Sequence, residues 1–162
     1  MVLKARIYKD YKTALIMSYE EEISGEAYFA HASSFFTGRG RDALLLLAQV
    51  EAATAAAIYP LLERYGFATT NPDELRASGR AEADLKSGLS WTETVAEMVT
   101  DYPAYVEEFE NLERLAPERD RKFVDVLIKH EIAAIEFAKL EAAGDQNSFA
   151  PLNTFLNTND MV

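Results

Sequence analysis

Cysteine is absent from the sequence. Disulfides, thiolate metal ligands and a thiol nucleophile are therefore excluded, which fits a cytoplasmic protein. Histidine is scarce, at 2 of 162 residues, so any metal site must rest on carboxylates. Positive charge is outweighed: 16 Lys and Arg against 27 Asp and Glu leave a net charge of −11. That balance argues against a nucleic-acid partner or an anionic membrane surface. The longest uncharged apolar runs lie within 43–50 and 52–62, short of a bilayer span. The first ten residues carry charges and no apolar h-region, unlike a signal peptide. No strand alternation and no internal repeat beyond paired helices is visible. What is present is 49% hydrophobic residues, enough to build the core of one compact domain over 1–162.

Those apolar residues recur at helical spacing, and in three helices an acid interrupts them. In Lys122–Leu140, at about 100° per residue, Val124, Leu127, Ile128, Ala134, Ile135 and Ala138 share one face. Glu131 lies at the centre of that face, within about 60° of all six. In Asp42–Tyr65 the residues Leu44, Leu47, Ala48, Thr54, Ala55, Ile58, Leu62 and Tyr65 surround Glu51 in the same way. In Asp10–Phe36, Glu22 shares a face with Tyr11, Leu15, Ser18, Tyr19, Gly25, Phe29 and Phe36, and Glu26 lies about 40° from it. None of the three acids has a Lys or Arg within about 60° on its own helix. An ionised carboxylate in a core needs its hydration replaced. A metal ion, shared protons or tyrosine hydroxyls are the available replacements.

The remaining punctuation organises the chain. Asp10 is an N-cap, and Thr37-Gly-Arg-Gly40 is a glycine turn that makes the first two helices antiparallel neighbours. Asn71-Pro-Asp-Glu74 opens a short polar helix from Pro72 to about Lys86, and Ser90-Trp-Thr-Glu93 is a capping box that opens the next one. Pro103 is expected to kink or break that helix near Tyr102, and a break would bring Glu97 or Asp101 inward. Ala116-Pro117 is a tight connection, and Gly144 stops the last long helix. The tail from Asp145 is expected to pack Phe149, Leu152, Phe155 and Leu156 on the bundle as an irregular cap. His130, about 100° from Glu131, is placed beside Phe123, Leu127 and Phe137 at a helix–helix border rather than as a ligand. His31, about 180° from Glu22, faces away. Thr54 is expected to return its hydroxyl to its own helix. Ile132, Ala133, Leu45 and Leu46 lie off the core stripes and suggest a homodimer surface.

Two helical hairpins over about 10–143 with inward glutamates at mid-helix resemble the ferritin-like superfamily, its rubrerythrin branch most closely. Glu22-Ile-Ser-Gly25 followed by Tyr28-Phe29 is similar to that branch's first-helix motif. Glu51-Ala-Ala-Thr54 and Glu131-Ile-Ala-Ala134 stand where the branch has Glu-x-x-His, with both histidines replaced. The resemblance implies an all-α four-helix bundle with an extra short helix in the long connection and a kinked third helix. It also implies a residual carboxylate site for one divalent ion, Fe²⁺, Mn²⁺ or Mg²⁺. Glu22, Glu51 and Glu131 would be ligands and Glu97 a fourth; Tyr19, Glu26, Thr54 and His130 would stand around them. Metal-dependent oxidoreduction would follow. The alternative is a bundle that binds no metal, keeps these acids protonated and acts by binding a small molecule or a protein.

Overall fold

In a computed structural model, residues 2–159 are described. Among them, six α-helices and one 3-10 turn account for the regular structure, with no strand. They are α1 (Tyr11–Ala32), the 3-10 turn Ser33–Phe35, α2 (Gly38–Tyr65), α3 (Pro72–Leu85), α4 (Trp91–Leu115), α5 (Glu118–Ala142) and α6 (Ala150–Asn159).

Side-chain pairings fix the topology. Down the α1–α2 pair, Tyr11 meets Tyr65, Tyr19 meets Tyr59, and Gly25 faces Glu51, so the two helices are antiparallel. Between α2 and α5, Arg39 pairs with Glu141 and Arg64 with Asp120, again antiparallel. Trp91 donates to Glu141 while Phe109 meets His130, which sets α4 against α5 in the same sense. Consequently α2 and α4 run in one direction, and the chain between them must climb back the length of the bundle. Helix α3 makes that return alongside α1, with Gly79 against Ser24 and Asp84 on His31. Gly79 is required there: a Cβ would lie 2.0 Å from the Ser24 carbonyl oxygen. The result is two antiparallel hairpins joined by one long crossover.

Local chemistry explains the boundaries. Asp10 Oδ1 accepts from the Thr13 N–H, Asn71 caps α3 with Pro72 at its first position, and the Ser90/Glu93 capping box is complete. Gly66, in the left-handed region at φ 63°, ends α2.

Several expectations are corrected. Gly38–Gly40 forms the first turn of α2 rather than a separate turn, and Gly40 leaves room for the Trp91 ring. Helix α4 runs unbroken through Pro103. Pro103 is exposed, so the carbonyl it leaves unpaired is on the watered side, and the apolar residues keep one phase across it. The tail forms α6 instead of an irregular cap, with Pro151 in its first turn as the overlooked start signal; Leu152 and Phe155 are buried. Asp160–Val162 of that tail lie outside the described residues. Ala133 is buried in the core, which leaves Ile132 and Leu45 exposed at the surface assigned to a dimer, with Leu46 half-buried. By length and composition α2 passes as a membrane span, yet it packs between α1, α5 and α6 with a glutamate at its middle.

The core is divided. One cluster, with Phe29, Leu44, Leu47, Phe137 and Leu152, fills the end where α6 docks. The other, with Leu15, Ile58, Leu62, Leu112 and Leu127, fills the opposite end. Glu51 and Glu131 each stand in sequence where one cluster gives way to the other, and Glu22 stands between Tyr19 and Ile23 of the second.

Candidate metal centre

Glu22 on α1, Glu51 on α2 and Glu131 on α5 are brought together at mid-bundle by helices whose core stripes face one another. Glu22 and Glu131 are buried, at 2% and 6% exposure, and the Glu51 side chain is 12% exposed. His130, on α5, completes the group at 1% exposure. Its Nε2 lies 3.3 Å from Glu22 Oε2, 3.5 Å from Glu131 Oε2 and 3.7 Å from Glu51 Oε1. The border position expected for His130 is thereby corrected: its ring rests on Phe109, but its Nε2 points into the acids.

The tautomer follows from the other nitrogen. Nδ1 is 2.5 Å from the Leu127 carbonyl oxygen. A carbonyl only accepts, so Nδ1 carries the proton and donates. Nε2, the other ring nitrogen, then faces three carboxyl groups. Glu22 Oε2 is buried and has no hydrogen-bond partner. Backbone anchoring of the far nitrogen is the usual support of a metal-binding imidazole.

Electrostatics point the same way. Burial pushes the Glu22 carboxyl up to about 8, against the opposing effect of its hydrogen bond with Glu51. Burial and then the neighbouring Glu22 hold Glu51 well above the ordinary carboxylate range, with half-buried Glu26 adding to the effect. Burial does the same to Glu131; His130 opposes it, and Glu51, Glu22 and Glu108 reinforce it. Charge is thus costly here unless a cation shares it. The ligand atoms of Glu22, Glu51 and His130 lie within 4.8 Å of one another, and this cluster can hold a metal ion. Ligands about 2.1 Å from a tetrahedral centre stand about 3.4 Å apart, close to the three separations from Nε2. Gly25 makes the approach possible: a Cβ there would be 2.5 Å from Glu51 Oε2.

A cavity of about 500 Å³ opens above the group, between α1, α3, α4 and the N-terminal residues. The three glutamates line it and His130 does not, so the imidazole approaches from behind. Tyr28, Tyr102 and Tyr105 form part of the wall, and burial followed by the Glu131 charge raises the Tyr102 hydroxyl well above the ordinary phenol range.

Other expected site residues are placed elsewhere. Glu97 is held 2.8 Å from Lys86 Nζ near the cavity edge, and the unbroken α4 keeps it out of the cluster. Tyr19 stacks at a tilt on Tyr59 and does not line the cavity. Thr54 Oγ1 donates to the Val50 carbonyl of its own helix at 2.8 Å. His31 binds Asp84 at 2.7 Å.

Two further acids are buried: Asp120, which carries no sequence expectation, and Glu108, expected off the apolar stripe of its helix. Asp120 sits at 0% exposure and accepts from Tyr11, Tyr65 and Arg64. A signal existed: Asp120 is eleven residues before Glu131, about 20° away on the same stripe. Glu108, at 3% exposure, lies off its stripe and is covered by Arg6; only tertiary structure reveals it.

Compared with protein families, with curated proteins and with solved structures, the chain matches none.

Proposed function

We propose that this chain is a metal-binding protein of ferritin-like, rubrerythrin-related type, with one divalent ion at mid-bundle. Two antiparallel hairpins joined by a long crossover, with glutamates at mid-helix, support that relationship. The observation that carries the metal reading is Glu22 Oε2, buried, without a hydrogen-bond partner and 3.3 Å from His130 Nε2. His130, Glu22 and Glu51 would hold the ion, with Glu131 beside them. One imidazole with carboxylates suits Fe²⁺ or Mn²⁺. The stoichiometry is one, because the positions three residues after Glu51 and Glu131 are Thr54 and Ala134 and supply no second imidazole.

A bound ion supplies a Lewis-acid centre and, as iron or manganese, a one-electron couple, which is the basis for assigning oxidoreduction. The chain's own residues do the rest. Leu127 fixes the His130 ring through Nδ1. Phe109 and Phe155 close the ring's sides and exclude water from behind. The carboxyl groups turn toward the cavity, so a reactant reaches the centre only from that side.

A second reading has its own observation. Burial raises the carboxyls of Glu22 and Glu51, which favours their protonated forms in the metal-free state, beneath a cavity large enough for a small molecule. On that reading the protein is a binding module without metal.

Titration of chelator-treated, untagged protein with Mn²⁺ and Fe²⁺ separates the two. One ion per chain is expected, with a higher melting temperature in wild type and little rise in Glu22→Gln or His130→Ala. At a hundredfold excess over Kd the stabilisation is about 2.7 kcal/mol. Wild-type protein that neither binds an ion nor gains stability belongs to the second reading.

A further inference from the structure

Residues 2–10 form no helix, and Leu3, Lys4 and Arg6 of this segment border the cavity. They follow one strip of α4. The Leu3 N–H donates to Asp101 Oδ1 at 3.1 Å, the Arg6 N–H to Glu108 Oε1 at 2.8 Å, and Asn111 Nδ2 donates to the Tyr8 carbonyl at 3.3 Å. The Arg6 guanidinium then spans the opening. It reaches Glu108 Oε2 on α4 at 3.0 Å and also pairs with Glu21 on α1. Leu3, Lys4 and Arg6 form part of the cavity wall.

How this segment is held differs along its length. Tyr8 packs against the core cluster at the α1 start and anchors the inner end. Beyond it, Val2, Leu3 and Ile7 are 61%, 40% and 74% exposed, so apolar burial contributes little. Polar contacts do the holding, and water can replace each of them. Glu108 is buried under this segment, with Arg6 as its cation, and would be hydrated if the segment lifted.

We propose that residues 2–7 are a gate hinged at Tyr8 and latched by Arg6 between Glu21 and Glu108, and that its opening admits reactants to the cavity above Glu22, Glu51 and Glu131. The latch is ionic, with Arg6 44% exposed, so salt weakens it. The gate does not depend on what binds below it, and its test needs no metal.

The lack of cysteine makes the test direct. Met98→Cys places a single thiol in the cavity wall, and Val50→Cys places one in the sealed core away from the cavity. Labelling by a maleimide dye is timed in each, with Arg6 and with Arg6→Ala. Arg6→Ala is expected to speed labelling at position 98 by roughly tenfold and leave position 50 unchanged, as local rather than global opening requires. Raising salt to about 0.5 M should accelerate position 98 only while Arg6 is present. Should Arg6→Ala fail to fold because Glu108 is left unpaired, Glu21→Gln loosens the outer half of the latch, and a several-fold acceleration at 98 is expected. Equal rates at 98 with the latch intact and broken overturn the gate, as does equal acceleration at both positions.

Discussion

Helix α5 carries two buried acids eleven residues apart on one stripe, and they live in opposite conditions. Asp120 is fully enclosed and fully answered: Tyr11 at 3.0 Å, Tyr65 at 2.5 Å and Arg64 at 2.8 Å all donate to it. Glu131, three turns on, is met by two more carboxyls and by His130 Nε2 at 3.5 Å. Burial alone therefore does not identify a site. The donor inventory around the acid does. Asp120 closes the end of the bundle by joining α1, α2 and α5, and it asks for nothing from outside. The Glu131 layer asks for a cation or for protons. The same physics, desolvation of a carboxylate, builds a staple in one place and a cluster that favours a cation or protons in the other.

The sharpest way to break this comparison is to delete both acids separately. Asp120→Ala leaves a guanidinium and two hydroxyls without their acceptor, and stability should fall by about 3 kcal/mol. At this chain length that is a drop of about 10 °C in melting temperature. Glu131→Gln, in chelator at neutral pH, should raise stability by about 1 kcal/mol, because it removes the cost of burying an ionisable acid that water would leave charged. Chemical denaturation of both variants beside wild type measures the two signs. Two losses of similar size would mean that the acids do the same structural work.

Next comes pH. In the metal-free protein the Glu22 carboxyl is raised from 4.5 to about 8. Between those values the folded state keeps a proton that the unfolded chain has lost. Stability from this group is complete below pH 4.5 and declines as pH rises to about 8, by about 1.4 kcal/mol per pH unit. An acid with a lowered value, such as Glu141 beside Arg39, Trp91 and Ser148, contributes in the opposite sense. Melting curves from pH 5 to about 8.5 in chelator should slope downward, and Glu22→Gln should flatten them. A wild-type curve that rises through this window contradicts the assignment.

The smallest effect is expected from Gly25→Ala. The new Cβ would press on Glu51 Oε2, the flexible end of a side chain, so metal-free stability should change by less than about 1 kcal/mol. Metal affinity should nevertheless fall roughly tenfold, about 1.4 kcal/mol, because the carboxylate is displaced from its place beside His130. Calorimetric titration with Mn²⁺ reads this directly.

How much of this was legible beforehand varies by residue. Glu22, Glu51 and Glu131 were visible because a helix repeats every 3.6 residues and an acid on the wrong side of the repeat stands out. Asp120 was equally visible by the same arithmetic, and its place in the first turn of α5 disguised it as an ordinary helix-start acid. Helix α6 hid behind a run of Asn and Thr. His130 was not legible as a member of the cluster. Its angle on α5 suited a border, and only its rotamer, locked by Leu127, decides where Nε2 points.

The sequence alone determined that the chain is helical, where its long helices lie and that Glu22, Glu51 and Glu131 turn inward, since those properties depend on neighbours within a few residues. Tertiary structure decided who meets those acids. Arg6 reaches Glu108 across 102 residues, Arg64 reaches Asp120 across 56, and Lys86 removes Glu97 from contention. Each of those choices requires helices from distant parts of the chain to be rotated and staggered relative to one another. No local period encodes that, so the difference between a staple and a candidate metal centre is settled only when the bundle closes.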